Sequence, residues 1–441
     1  MRTGSRRILG PTLSFIFLVG FVGSLAQTEA SASRANAVNC HERPHPSVNL
    51  AGCNLSGRNL NGMDFARADL ADANLNGAEL IGANLTGANL MGAHLSVTDL
   101  TSARLGGANL SGVVSGSIVG SPLLPANWRV IDGYLVGPRA NLEDAQLSGA
   151  NLSHTDLFDV RLSNANLSGV MSGSVSGDPL LPLEWRLVDG YLVGPAANLT
   201  GAQLQNANLA LAHLSGANCS NANFFDASLS GSDDSNSTLT GANLSGARLN
   251  GANLTGVTSG SIVGSPVLPT GWLLVNGYLV GSNAVLIDAN FANADLFGAN
   301  LSGVNLTGAI LTGVSSGSII SGGQTLPMNW SLNKGYLIGP GANLAGANLA
   351  DFQGFESDLQ GANLMGAILT GDSFTFANFV NANLTDANLT DASIEGSTAT
   401  DVILDGANLT GATFELTSMS AAITDESTIC PQGNSGPCVN L

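Results

Sequence analysis

Two short stretches of this sequence carry residue types at catalytic spacings. His41, Glu42 and His45, in "HERPH", match H-E-x-x-H. That pattern binds zinc when both histidines share one helix face and the glutamate serves as base. Pro44 lies inside the would-be turn and disfavours the helix this chemistry needs, so the stretch reads as a solvated cap. Gly313 to Gly317 match G-x-S-x-G around Ser315. The three sister segments carry Val114, Met171 and Thr258 in that place, and no strand-turn-helix pattern surrounds them. His94, His154 and His213 stand alone, and no phosphate-binding or dinucleotide glycine fingerprint occurs. Asp233–Asp234 lacks the ligand spacing of a known metal site. The expectation is no catalytic, cofactor or metal site.

Aromatic chemistry is concentrated instead. All four tryptophans and all four tyrosines lie in four near-copies of one segment, such as "SPLLPANWRVIDGYLVGP". The pairs are Trp128 and Tyr134, Trp185 and Tyr191, Trp272 and Tyr278, and Trp330 and Tyr336. Between the two aromatics stand Asp132-Gly133, Asp189-Gly190, Asn276-Gly277 and Lys334-Gly335. Asp-Gly and Asn-Gly between apolar runs predict a tight β-hairpin, because both positions accept positive φ. Two readings follow. The aromatics pack the hairpin onto the wall of the fold, the default for large apolar side chains. Alternatively they form an exposed row that stacks on a sugar ring or a partner, which makes these eight residues candidate partner-binding residues.

The elements that must carry these segments are written in five-letter words. In "ADLADANLNGAELIGANLTGANLMGAHL" Leu recurs at 70, 75, 80, 85, 90 and 95, with Ala two residues before each. On a helix, residues five apart would spiral round every face, and on a long strand they would alternate sides. One Leu per word is buried only if the chain turns once per word. Ala and Leu then point inward, the residue between them points out, and the Ser/Thr-Gly pair makes the corner. Asp234 and Gly354 fall on inward slots, where a bulge or looped-out corner is expected. Ala399 is a milder lapse. From Leu110 to Leu142, Leu167 to Leu199 and Leu254 to Leu286 is 32 residues, and from Leu311 to Leu344 it is 33. None is a multiple of five, so the aromatic segments are inserted units that shift the phase.

These words, "ANLTG", "ANLSG", "ADLAD" and "AQLSG", resemble the pentapeptide-repeat family, over nearly all of residues 50–414 outside the inserts. The resemblance implies an all-β fold, a right-handed quadrilateral β-helix with four words per coil. The 52 words would then make 13 coils, about 62 Å long before the inserts are added. Expected inserts span about 111–141, 168–198, 255–285 and 312–343, with a cap at 33–49 and a second cap with a disulfide at 415–441.

The first 32 residues have the parts of a secretory signal: Arg2, Arg6 and Arg7, an apolar run to Leu25, and small residues around Ala26 and Ala32. Cleavage is expected; an uncleaved segment would be the sole link to a membrane. In an oxidising compartment near-neighbour cysteines pair, so Cys40–Cys53 and Cys430–Cys438 are the expected disulfides. Cys219 takes a Leu slot and reads as a small buried hydrophobe.

Charged residues are 10% of the chain and the net charge is −18, which excludes direct binding to a nucleic-acid backbone and suits a basic surface or a cation. The start "VNLAGCNLSGRNL" and the end "TICPQGNSGPC" resemble the caps of exported bacterial members of the family. The expected function is a secreted or envelope-associated, non-catalytic scaffold with a protein or glycan partner. The alternative is an acidic DNA mimic acting on a DNA-binding protein such as DNA gyrase, a property of some members of the family.

Overall fold

A computed structural model describes residues 38–438. The expected signal sequence lies outside the described residues. The chain is a right-handed quadrilateral β-helix in which the five-residue word is the physical unit. Ala and Leu of each word point inward and are buried, as at Ala83 and Leu85. The residue between them pairs with its equivalent 20 residues on, one coil away: Asn54 with Asn74, Asn74 with His94, His94 with Val114. Leu80 donates its N–H to the Asp99 carbonyl at 2.8 Å, and Ala83 closes the turn on the Leu80 carbonyl at 3.0 Å.

The outward Asn explains the spelling of the word. Asn84 Oδ1 accepts the N–H of Thr86 at 3.2 Å and its hydroxyl at 2.7 Å. This side-chain turn clamps the corner, and the following Gly87 takes a φ of 68° that costs a side-chain residue more.

Four walls run along the solenoid. The first begins Asn49–Asp69–Asn89–Asn109, the second Asn54–Asn74–His94–Val114, the third Asn59–Glu79–Asp99–Val119 and the fourth Asp64–Asn84–Arg104–Leu123. The four aromatic segments interrupt them. Each contains an antiparallel hairpin: β1 (Arg129–Ile131) with β2 (Tyr134–Val136), β3 (Arg186–Val188) with β4 (Tyr191–Val193), β5 (Leu273–Val275) with β6 (Tyr278–Val280), and β7 (Ser331–Asn333) with β8 (Tyr336–Ile338). Asp132 and Gly133 both have positive φ, 47° and 78°. A short parallel pair, β9 (Ser373–Thr375) and β10 (Ser393–Glu395), lies in the last stack of coils.

Coil pairing extends into the expected inserts and past residue 414. The inserts enlarge the coils that carry them: Val114, Val119 and Leu123 still pair with the coil beneath. Only one wall passes each insert unbroken, through Val114↔Asn141, Met171↔Asn198, Thr258↔Val285 and Ser315↔Asn343. The step there is 27 or 28 residues instead of 20. The coils also continue past residue 414, since Ser418, Ile423 and Ile429 pair with Thr398, Ile403 and Asn408. Strand edges are satisfied wherever a partner coil exists, and apolar spelling is not required for that.

The two lapses in the word are not bulges either. Asp234 stays in its inward slot while Asp233 pairs with His213 and Asn253 on the third wall. At Gly354 the slot is filled from neighbours: a Cβ there would meet the Phe374 ring at 2.5 Å and the Phe352 ring at 2.8 Å. Phe374 stacks edge-on with Phe352 and Phe379, centroids 5.7 and 4.9 Å apart.

Candidate functional site

The hairpins are not laid on the outside of a wall. Asn127, just before β1, reaches the first wall through Nδ2 to Asp156 Oδ2 at 3.2 Å. The turn at Gly133 accepts the Ile118 N–H, between the second and third walls, at 2.9 Å. The hairpin therefore crosses the opening of its own coil. Its side chains alternate: Val130 and Leu135 pack into the core segment before the insert, Ile131 and Val136 into the one after it. Leu279 and Val280, and Leu337 and Ile338, divide in the same way. Four hairpins thus partition the apolar interior into five segments.

Each tryptophan belongs to two segments at once. Trp128 packs against the first and second, Trp185 the second and third, Trp272 the third and fourth, Trp330 the fourth and fifth. Each ring rests on a glycine backbone; a Cβ at Gly137 would lie 2.4 Å from Trp128 Cδ2. The tyrosines are half-buried, and their hydroxyls accept backbone N–H groups 12 residues on, at Gln146, Gln203, Asn290 and Asn348. These eight side chains are joints of the fold.

The exposed-row reading is corrected by their placement. The chain visits the walls in fixed order. Hairpins β1–β2 and β7–β8 replace a word of the first wall, whereas β3–β4 and β5–β6 replace a word of the third, opposite it. The eight insert tryptophans and tyrosines therefore do not form a single row.

The remaining candidates resolve simply. His45 Nε2 contacts Glu42 Oε1 at 2.9 Å and its Nδ1 faces the Pro46 carbonyl at 2.8 Å. The hydrogen bond to Glu42 raises its pKa. Among the described residues no three His, Cys, Asp or Glu side chains are grouped to hold a metal ion. Ser315 is a paired coil residue whose Oγ accepts Asn343 Nδ2 at 2.8 Å. Cys40 bonds Cys53 and Cys430 bonds Cys438, while burial pushes the Cys219 thiol up and leaves it unreactive.

A cation site at Asp233–Asp234 is excluded by geometry, because the Asp234 side chain points into the core and is 1% exposed. Its Oδ2 accepts the Ser232 hydroxyl at 2.5 Å, and burial pushes its pKa up to about 7. Asp372, equally enclosed, accepts the Phe352 N–H at 3.0 Å and is likewise pushed up to about 7 by burial.

Sequence reasoning missed two surface features. Phe355, Phe376 and Leu416 stand exposed on one corner of the solenoid, between the fourth and first walls. Their five-residue phase, outside the inward slots, was the available signal. It also missed an open groove of about 550 Å³ beside the first hairpin, where Arg139 lies 3.5 Å from Asp159 and 5.4 Å from the Phe158 ring centre.

The repeat profile described as pentapeptide repeats matches in eight copies, at residues 49–87, 78–114, 139–170, 196–231, 217–256, 282–313, 341–371 and 377–415. No curated protein matches the chain. Solved structures similar to it include HetL of the cyanobacterium Nostoc, a pentapeptide repeat protein involved in heterocyst differentiation regulation. It is 21% identical over 66% of this chain and 94% of that one, with a TM-score of 0.15. Rfr23 of the cyanobacterium Cyanothece is 23% identical over 31% and 90%, with a TM-score of 0.18. A pentapeptide repeat protein of the Arabidopsis thaliana thylakoid lumen is 23% identical over 36% and 66%, with a TM-score of 0.15.

Proposed function

This chain belongs to the pentapeptide-repeat family, and from that premise we propose that it is an exported, rigid, non-catalytic scaffold whose outer surface binds a protein or glycan partner at or beyond the cell envelope. The observation that carries the reading is the disulfide at each end, Cys40–Cys53 and Cys430–Cys438. Such bonds persist in oxidising compartments and are lost in a reduced cytosol. The basic, apolar and small-residue order of the first 32 residues supports the same address.

A binding role, in place of catalysis, is supported by the disposition of the titratable groups. The outward carboxylates lie on convex walls, and the two that are enclosed among the described residues, Asp234 and Asp372, are 1% exposed. Catalysis needs convergent groups in a pocket that a substrate can enter.

The test is where the native protein resides and what its N-terminus is, by fractionation and intact mass. A mature form beginning between Gln27 and Ala35, with both disulfides closed, in the envelope or medium agrees with the proposal. A full-length, reduced protein in the cytosol overturns it. The acidic DNA-mimic reading would then be examined by a DNA gyrase supercoiling-inhibition assay.

A further inference from the structure

We propose that the corner carrying Phe355, Phe376 and Leu416 is a docking edge for a partner protein segment in which Lys or Arg side chains alternate with apolar ones. The inference rests on the reading of the chain as a binding scaffold and gives that scaffold a surface and a partner chemistry.

The three side chains are aligned on one corner along the solenoid. Successive coils are joined at this corner by Glu356 N–H to the Thr375 carbonyl at 2.8 Å, Phe376 N–H to Glu395 at 2.9 Å and Gly396 N–H to Glu415 at 2.8 Å. Phe355 and Phe376 meet edge-to-face, centroids 6.0 Å apart at 82°. Phe376 then lies over Gly396, where a Cβ would fall 2.6 Å from its ring, and Leu416 follows on the next coil. Phe355, Phe376 and Leu416 are 62%, 60% and 89% exposed. An aligned apolar strip in water marks an interaction surface more often than a scattered side chain does.

The fold itself has no use for these residues. Phe376 and Leu416 occupy the left-handed corner position, at φ 59° and 53°. Gly takes that position freely, and a bulky side chain there is strained. Neither residue recovers the cost through burial.

Charge decides the occupant. Glu356, Glu395 and Glu415 are exposed on the same corner ladder and alternate with the apolar groups. Beyond Lys334 the chain contains no Lys or Arg at all, while it contains 12 Asp and Glu. A cationic segment is attracted to this end of the solenoid and an acidic one is repelled. Apolar side chains interleaved with its cations would cover the two rings and Leu416.

The experiment uses the purified protein with its disulfides intact. A labelled peptide of about twelve residues, alternating Lys and Leu, is titrated by fluorescence anisotropy beside a Lys/Ser peptide of equal charge. The expected result is tighter binding of the Lys/Leu peptide. The triple variant Phe355→Ala, Phe376→Gly, Leu416→Gly should weaken it about tenfold or more with no fall in Tm. Replacing the three glutamates by Gln should weaken both peptides and flatten the salt dependence. Leu211→Gly, at an exposed left-handed position on another part of the solenoid, should change nothing. Equal binding by the triple variant would mean that the walls at large attract the peptide, and the proposal would fail. A Tm lowered by several degrees in that variant would also overturn it, by making the strip structural. The assay is independent of cellular address, so its failure leaves the exported-scaffold reading standing, and a cytosolic address leaves this result standing.

Discussion

The phenolic oxygen of Tyr134 accepts the backbone N–H of Gln146 at 2.9 Å. In a regular coil that N–H would bond a carbonyl of the coil below, as Asn166 does with Ala145 at 2.9 Å. The hairpin turn at Gly133 lies against Ile118 of the coil beneath, and the tyrosine hydroxyl takes the place of that coil's carbonyl as the acceptor. Tyr191, Tyr278 and Tyr336 do the same at the other three inserts.

Tyr134→Phe keeps the ring and deletes only this acceptor. It should cost about 1 kcal/mol, the net worth of a typical hydrogen bond. Chemical denaturation reads the loss, and no change in the midpoint would show that water replaces the hydroxyl without penalty.

Trp128→Ala should do more, because the ring touches two core segments. A loss of about 2–4 kcal/mol is expected, below or within the range for a fully buried aromatic. Solenoid stability is a sum over neighbours, so the variant should also uncouple the first segment from the rest. Calorimetry should then resolve two transitions; a single sharp transition at an unchanged temperature would refute the joint.

Stability should fall as pH rises from about 4 to about 7. Burial raises the folded pKa of Asp234 and Asp372 from the ordinary aspartate range to about 7. The folded state therefore binds protons more tightly across that window, and its advantage is lost as pH rises through the folded value. Asp233 and Cys219 face Asp234, whereas beside Asp372 the Lys334 cation outweighs Asp351 without cancelling the effect of burial. Exposed His45 has the same sign, with a raised pKa. Asp234→Asn keeps an oxygen for the Ser232 hydroxyl and should flatten its share of the profile. An unchanged slope of Tm against pH in the Asp234→Asn, Asp372→Asn double variant would count against the buried carboxylates as its source.

Leu209→Asp places a carboxylate in a slot now fully buried and leaves it unpaired. Loss of about 3 kcal/mol or more is expected, with new protease cleavage confined to the coils around Leu204 and Leu214. Reduction of Cys40–Cys53 should instead fray only the first coils. Cleavage sites mapped by mass spectrometry separate the two outcomes, and a protease-resistant Asp variant would show that slot 209 does not point inward.

The five-residue period determined most of the fold. Leu at a fixed spacing can be buried only by a chain that turns once per word, so the inward positions of Ala83, Leu85 and their equivalents are legible without coordinates. Asp132-Gly133 likewise specifies a hairpin from local backbone preference. Tertiary structure decided what the hairpin does. Its position depends on how many insert residues remain paired in the coil, and Val119 and Leu123 carry no local mark of that pairing. Only the closed coil shows Leu135 entering one core segment and Val136 the next. The same holds for Asp234. A carboxylate favours solvent by itself, and it is buried here because the coils above and below hold the backbone at Asp233 in register and leave its neighbour nowhere else to point.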